Sequence, residues 1–435
     1  MKPIHPRSSV MGRLALAAIL SCGTVLLSAQ HVHTERCGQQ AAIENLKNIH
    51  PENEQSIAEA RDAAREYLER GGRTLRVTDD ENTLYIPVVV HVVYANEAQN
   101  ISNQQVLSQI EVLNDDFNMD NDDFGVNRTD FVDVAGDVNV RFCMAEFDPL
   151  GAPTDGIDRV MTTEVSFDSG DTPNGWDNVK QSSTKGADAW PRKNYLNIWV
   201  CNLDPSSGVL GYAYPPGVAP SWRDGVVIHY RYFGKVGVVS PPYNLGRTTT
   251  HEVGHWLGLR HIWGDGGCGV DDGHDDTPAS NTSHFGCPSA TTASCGSLDM
   301  WENFMDYTDD RCMWMFSEDQ ALSMRSVLES TRATLQNSGK CWQISGVNDQ
   351  IDISADIHLF PNPANSVAVR VTMAVPTTSE VMINLVDLTG RVLQSQMQPA
   401  GFLQTDLQVE GLPAGLYLVQ VEGQELRGSV KLLRN

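Results

Sequence analysis

Three of the chain's twelve histidines fall in one short stretch, "TTTHEVGHWLGLRH", together with a glutamate. On a helix, His251 and His255 stand one turn apart and share a face. Two neutral imidazoles at that spacing can hold one Zn2+. Glu252 lies about 100° round the helix, so it need not ligate and is free to take a proton from water. Gly258 can adopt φ > 0, which lets the chain leave the helix sharply. His261 then returns as a third ligand from another direction. Three nitrogens leave a fourth position for water, the mark of a catalytic rather than a structural zinc. Zinc lowers the pKa of water from about 15.7 towards 7 and polarises a carbonyl. Such a site can hydrolyse an amide without a covalent intermediate. A bare HExxH arises easily by chance; the complete HExxHxxGxxH is far more specific.

These residues need a scaffold, and the pattern before them supplies one. "LYIPVVVHVVY" from Leu84 is a β-branched run suited to a buried strand. "SNQQVLSQIEVLNDDF" is an amphipathic helix with Ser102 as its N-cap. "NVRFCMAEF", "YLNIWVCNL" and "GVVIHYRYF" predict further strands. Gly- and Asp-rich loops dominate from Gly264 to Ser297, and "SEDQALSMRSVLESTRATLQ" predicts a closing helix. The expected class is α+β, a mixed twisted sheet with an active-site helix and a loop-rich lower part. From Gly346 the texture changes to short alternating strands split by Pro, Asn and Gly, which predicts a small all-β immunoglobulin-like sandwich.

The first residues carry Lys2, Arg7 and Arg13 before the apolar run Leu14–Leu27, a signal-peptide pattern with cleavage after Ala29. "ILSC", ending at Cys22, is the lipoprotein alternative. No later segment is long and apolar enough to be transmembrane. The expected organisation is signal peptide 1–29, propeptide 30–76, protease domain 77–340, linker 341–352 and C-terminal sandwich 353–435. Within the second block, "NEQSIAEARDAAREYLER" predicts a surface helix, and the basic stretch Arg70 to Arg76 is a cuttable joint. An ordinary N-terminal helix is the competing reading. A net charge of −24 over 435 residues argues against nucleic acid. Export favours disulfides among Cys268, Cys287, Cys295 and Cys312 over a zinc knuckle, and these four allow three connectivities. Cys143 and Cys201 sit on predicted strands, as buried thiols or as a further bridge.

"HEVGHWLGLRH", with Met305 of "NFMDYTDD" as the Met-turn, resembles the metzincin signature. "YLNIWVC", "LGYAYPP", "DGVVIHY", "DDTP" and "NFMDYTDDRCMWMFSEDQ" narrow the resemblance to the pappalysin family, over about residues 84 to 335. The resemblance implies a secreted zinc endopeptidase with a metzincin-like zincin fold, acting on proteins or peptides. His251, His255 and His261 would be the zinc ligands and Glu252 the general base and acid. Tyr307 would bond the zinc or the oxyanion, with a buried core tyrosine as the alternative. Met305 would pack beneath the metal. It also implies the pairs Cys268–Cys295 and Cys287–Cys312. Substrate would run antiparallel to the edge strand of the sheet, at "VVIHY" or "YLNIW".

"GVDDGHDDTP" is rich in oxygen ligands, and Asp272, Asp276 and Thr277 are the candidates for Ca2+. Cys37, in "TERCGQ", would ligate the zinc in a latent form and exclude water. Asp309 and Asp310 would favour a basic residue after the scissile bond, and Arg311 could oppose them. "FPNPANSVAVRV", "VDLTGRVL", "GLPAGLYLVQV" and "KLLRN" resemble a type A C-terminal sorting domain of the type IX secretion system, over about residues 350 to 435. This implies passage through the periplasm and outer membrane to the surface or medium, with the type IX machinery as a partner. A carbohydrate- or protein-binding sandwich is the alternative. Phe360, Phe402 and Tyr417 are too scattered to form an aromatic platform. The rival for the whole chain is a surface adhesin that keeps zinc without proteolytic activity; an intact Glu252 argues against it.

Overall fold

The computed structural model describes residues 36–49, 83–126, 128–167, 175–336, 338–341, 351–352, 357–365, 367–374, 376–377, 380–387, 391–423 and 426–435. The expected signal peptide, the helix over residues 53–70, the joint at Arg70 to Arg76 and Cys22 lie outside the described residues. Two compact units are present, one ending at Ser338 and the other starting at Gly339.

In the first unit the elements are α1 (Gln39–Ile49), β1 (Leu84–Tyr94), α2 (Asn103–Phe117), β2 (Val140–Met144), β3 (Ile157–Met161), β4 (Leu196–Cys201), β5 (Gly211–Ala213), β6 (Val226–His229), α3 (Arg247–Trp256), β7 (Ala293–Ser294), β8 (Ser297–Leu298) and α4 (Glu318–Glu329). The sheet runs β2-β1-β4-β6-β5, with β3 also paired to β1. All pairs are parallel except β5–β6. β1 is buried at eight consecutive positions, Ile86 to Val93, because both faces of the sheet are covered. Its one polar core residue, His91, is satisfied by Asp158 at 2.9 Å and Asn197 at 3.0 Å.

α2 starts where its sequence says it should. Ser102 Oγ accepts from the backbone N–H of Gln105 at 3.2 Å, freeing the first turn from an unpaired donor. Its buried stripe, Val106, Ile110, Leu113 and Phe117, joins the main core with β1, β4, β6 and α3. α4 begins on a full capping box at Ser317 and Gln320 and ends at Glu329, short of the predicted Gln336 because residues 331–334 form turns.

One buried ion pair ties the active-site helix to the segment after α4. Asp224 accepts from Arg332 Nη1 at 3.1 Å through both oxygens and from Trp256 Nε1 at 2.7 Å. The Arg332 guanidinium also stacks on the Trp256 ring at 3.8 Å. Breaking such a pair by removing one partner costs about 3–5 kcal/mol, so the end of α3 is rigidly placed.

One sequence expectation changes, and one left open is resolved. "YLNIW" and "VVIHY" do not form an edge: β4 lies between β1 and β6, and β6 between β4 and β5, so both spend their hydrogen bonds inside the sheet. The edge strand on this side of the sheet is β5, the "GYA" of "LGYAYPP", with β2 at the opposite edge. Cys143 and Cys201 are not joined to each other: Cys143 is disulfide-bonded, as is Cys341, while Cys201 is a buried free thiol.

The second unit holds β9 (Ile351–Asp352), β10 (Ile357–Phe360), β11 (Ala368–Met373), β12 (Val381–Val386), β13 (Val392–Gln398), β14 (Gln404–Gln408), β15 (Gly415–Gly423) and β16 (Leu426–Arg434). They form two sheets, β10-β11-β14 and β13-β12-β15-β16-β9. The alternating inward residues Val369, Val371, Ile383, Leu385, Val419 and Val421 make its core. This all-β unit is consistent with an immunoglobulin-like sandwich.

Candidate active site

α3 carries His251, Glu252 and His255, and Gly258 turns the chain at φ 99° so that His261 comes back to them. His255 Nε2 lies 3.0 Å from His251 Nε2 and 3.1 Å from His261 Nε2. Each Nδ1 points outward, to Phe304 O at 2.7 Å, Leu259 O at 2.9 Å and Asp265 Oδ1 at 2.5 Å. A carbonyl or carboxylate oxygen accepts only, so each Nδ1 carries the proton and each Nε2 presents a lone pair. Three lone pairs aimed at one buried point repel one another unless a cation lies between them. The separations also approach the ~3.3 Å edge of a tetrahedron drawn with zinc–nitrogen bonds of about 2.0–2.1 Å. The donor set therefore fits Zn2+. Burial and the neighbouring His261 charge push His251 down to about 3, and burial with both neighbours lowers His255. Both are thus neutral, the form that ligates.

Met305 sits below the helix. A Cβ added to Gly254, between the two helix histidines, would fall 2.6 Å from Met305 Sδ, so glycine is what lets the thioether approach. Asn303 holds the turn, its Oδ1 accepting from the Met305 backbone at 2.9 Å. Tyr307 Oη stands 3.2 Å from His261 Nε2, and Trp263 stacks on the His261 ring at 4.3 Å.

Cys37 completes the group. Its thiol lies with the three histidines, and among the described residues this is the one cluster of His, Cys, Asp and Glu whose ligand atoms all lie within 4.8 Å of one another. The thiol donates to Glu252 Oε2 at 3.5 Å. Burial raises Glu252 to about 8 against that hydrogen bond, and burial with the adjacent Glu252 raises Cys37. A divalent cation at the nitrogens works the other way on both, favouring thiolate and carboxylate.

The chain around Cys37 lies along β5. Gly38 N donates to Gly211 O at 2.9 Å, and Leu210 N donates to Arg36 O at 2.8 Å, so the segment pairs parallel with the edge. Gly211 cannot be larger: a Cβ there would meet Ile228 at 2.8 Å and Glu252 Cγ at 3.1 Å. Arg36 enters a cleft of about 310 Å³ whose walls include Tyr243, Thr248, Tyr307, Thr308 and Met313. Its guanidinium donates to Tyr307 O at 2.7 Å and lies 4.4 Å from the ring centres of both Tyr243 and Phe285. Burial lowers the proton affinity of Arg36, and Asp309, then Asp310, work against that by favouring its charge. Asp310 has a second task, accepting from the backbone N–H of Leu245 at 2.7 Å and of Arg247 at 3.3 Å at the start of α3.

Other expected residues lie apart. Cys268 is joined to Cys295 and Cys287 to Cys312, with Cα atoms 5.3 and 5.7 Å apart. Thr277 Oγ1 donates to Asp272 Oδ1 at 2.7 Å, while Asp276 is turned onto Ser317 Oγ at 2.6 Å and the Asp319 backbone at 2.8 Å. Arg36, Tyr243 and Phe285 were not singled out from the sequence. The one local signal was Arg36 standing next to the Cys-Gly pair.

Residues 179–329 match the family described as pregnancy-associated plasma protein-A, and residues 358–434 match a secretion system C-terminal sorting domain. An extracellular metalloprotease of Pyricularia oryzae is 31% identical over 320 residues, which span 71% of this chain and 93% of that one. Mature mirolysin of Tannerella forsythia, solved with a cleaved peptide, is 46% identical with a TM-score of 0.55, covering 58% of this chain and 96% of its own. A promirolysin variant from the same organism is 41% identical with a TM-score of 0.61, covering 70% of this chain and 97% of its own. No helix among the described residues is long and apolar enough to cross a membrane.

Proposed function

The chain belongs to the pregnancy-associated plasma protein-A family of extracellular metalloproteases and carries a type IX secretion sorting domain, and from that premise we propose a zinc endopeptidase made as a thiol-locked precursor. The observation that carries the reading is the convergence of three Nε2 atoms beside a buried glutamate. His251, His255 and His261 would hold the metal. When bound, zinc supplies Lewis acidity, polarising the scissile carbonyl and acidifying water. Glu252 accepts a proton from the attacking water and delivers it to the leaving amine. The Tyr307 phenol donates to the oxyanion as charge develops on it. Substrate adds antiparallel to β5, with its backbone against Gly211.

The precursor segment fills the same place in the opposite sense. Its parallel pairing with β5 and the position of Cys37 support a lock in which the thiolate takes the fourth ligand position. The support for a basic preference is Arg36 itself, a guanidinium 4.4 Å from two ring centres whose charge Asp309 favours. A peptide library offered to the trimmed, zinc-loaded chain tests the reading. Cleavage ahead of Arg and Lys is expected; no cleavage at all would favour the adhesin. Asp309→Asn is then expected to lower kcat/KM about tenfold for peptides with Arg in that position, and much less for Leu. Equal losses for both would remove Asp309 from specificity.

Ca2+ is proposed at the loop of Asp272 and Thr277, supported by their approach in an oxygen-rich turn; Asp276, engaged by Ser317 and the Asp319 backbone, drops out of the expected set. Added Ca2+ should raise the Tm of the zinc-loaded chain by a few degrees, and Asp272→Asn should abolish that rise. An unchanged Tm in both proteins would dismiss the site.

A further inference from the structure

His284 lies outside the metal centre, yet it is tied to it through one turn of chain. Its Nδ1 is 2.7 Å from Asp306 Oδ2 and its Nε2 is 3.1 Å from Asp299 Oδ2. Its backbone N–H donates to Asp306 Oδ1 at 2.7 Å. Both acids are buried, at 2% exposure for Asp299 and 1% for Asp306. An ionised carboxylate only accepts, so a ring between two of them must donate from both nitrogens, which only imidazolium does. Without that cation two buried carboxylates would be left short of a partner.

Each carboxylate has a second attachment. Asp306 Oδ1 also accepts from the Tyr307 backbone at 2.7 Å. Asp299 Oδ1 accepts from Ser294 N at 2.9 Å and Ser294 Oγ at 2.6 Å. The ring therefore joins its own loop, the β7–β8 hairpin and the turn Met305–Tyr307. The next residue, Phe285, faces Tyr307 at 6.0 Å and forms one wall round the Arg36 guanidinium.

We propose that His284 is a positioning residue: as an imidazolium clamped between Asp299 and Asp306 it holds Tyr307 and Phe285 in the geometry that the cleft uses. The proposal rests on the protease reading for its kinetic consequence but not for the clamp itself. The charged groups that face the ring are Asp299 and Asp306. Burial lowers its affinity for the proton, but the hydrogen bond and charge of Asp306, then those of Asp299, outweigh it. A folded-state pKa above the unfolded value of about 6.5 means the clamp is complete below that value. It is lost as pH rises through the folded value, so it contributes to the alkaline limb of activity.

Two measurements test this. In the full chain carrying Glu252→Ala, 15N-histidine NMR should show a ring that keeps both nitrogens protonated at a pH just above the ordinary imidazole value of about 6.5, a signal lost in His284→Gln. A His284 ring protonated on one nitrogen at that pH would overturn the clamp. In the trimmed, zinc-loaded enzyme, Asp299→Asn lies away from the cleft and removes one of the two carboxylates that hold the proton. The alkaline limb of kcat/KM should then move down by about one pH unit, with activity at about pH 6 unchanged. An unmoved limb would overturn the positioning role. If trimmed wild type cleaves nothing at any pH, the protease reading has failed, and the NMR result still decides the clamp.

Discussion

Replacing Glu252 by alanine is expected to lower peptide hydrolysis by about 10³–10⁴-fold while leaving zinc in place. The two effects separate because Glu252 and the two helix histidines, His251 and His255, occupy different faces of α3, and His261 lies beyond its end. The three Nε2 atoms converge with one another and with the Cys37 thiol, whereas Glu252 Oε2 touches the centre only through that thiol, at 3.5 Å. On the proposed mechanism, water would take the place of the thiol once the segment is gone. Glu252 is then the nearest base, and it is buried at 1% exposure. Burial raises its affinity for a proton to about pH 8 in the cation-free chain, and a bound cation would bring it down from there. Zinc content per chain and kcat/KM on one good peptide check both halves. Glu252→Gln should match Ala in the rate loss, because an amide keeps the shape and loses the basicity. Unchanged hydrolysis in either variant would sink the mechanism.

Much of this was legible in the sequence because local chemistry demanded it. Only histidines one turn apart share a helix face, and only a residue tolerant of φ 99° can follow them so closely. The "LYIPVVVHVVY" run is read correctly as a buried strand because a strand covered on both faces is apolar without alternation. Ser102 announces the start of its helix for a similar reason, since an unpaired first turn needs an oxygen. The edge strand was not legible. "GYA" has three residues and no period, and what makes it the edge is its place at the end of the strand order, which is a property of the sheet. The longer, more apolar "VVIHY" looks the better edge and is in fact enclosed.

The cleft wall was hidden for another reason. Tyr243, Phe285, Asp309 and Arg36 come from four separate loops and carry no shared spacing. Their meeting depends on the Cys287–Cys312 bridge and on Gly286 O accepting from the Asp309 backbone at 2.9 Å. Two-residue strands and glycine-rich turns leave almost no pattern to read, so loops held by cross-links are known only once the cross-links are known. Acidic residues mislead in the same way. Asp309 and Asp310 look alike in sequence, yet Asp310 is engaged in holding the backbone at the start of α3.

Removing the thiol should convert a latent precursor into an active one. Cys37→Ala is expected to raise the activity of the untrimmed chain by about 100-fold or more, because the proposed thiolate ligand would give way to a water that Glu252 could use. Arg36→Ala should do less, by about tenfold, through a different route. It removes one charged hydrogen bond, worth about 1.5–3 kcal/mol, and a cation held at 4.4 Å from two rings, worth about 0.5–2 kcal/mol. Part of that is recovered as water returns to the pocket. The two changes should be less than additive in latency, since both weaken one segment held at neighbouring residues. In the proposed lock, the parallel pairing with β5 would keep the chain from cutting its own segment. A chain running the wrong way presents its carbonyl and nitrogen to the centre in reversed order, so Glu252 would deliver its proton to the wrong side of the bond. The check is activity of each untrimmed variant against the same chain after trimming, with intact mass measured at both points. Cys37→Ala that stays fully latent, with its segment uncut, would show that the lock lies in the segment's backbone and Arg36 rather than in the thiol.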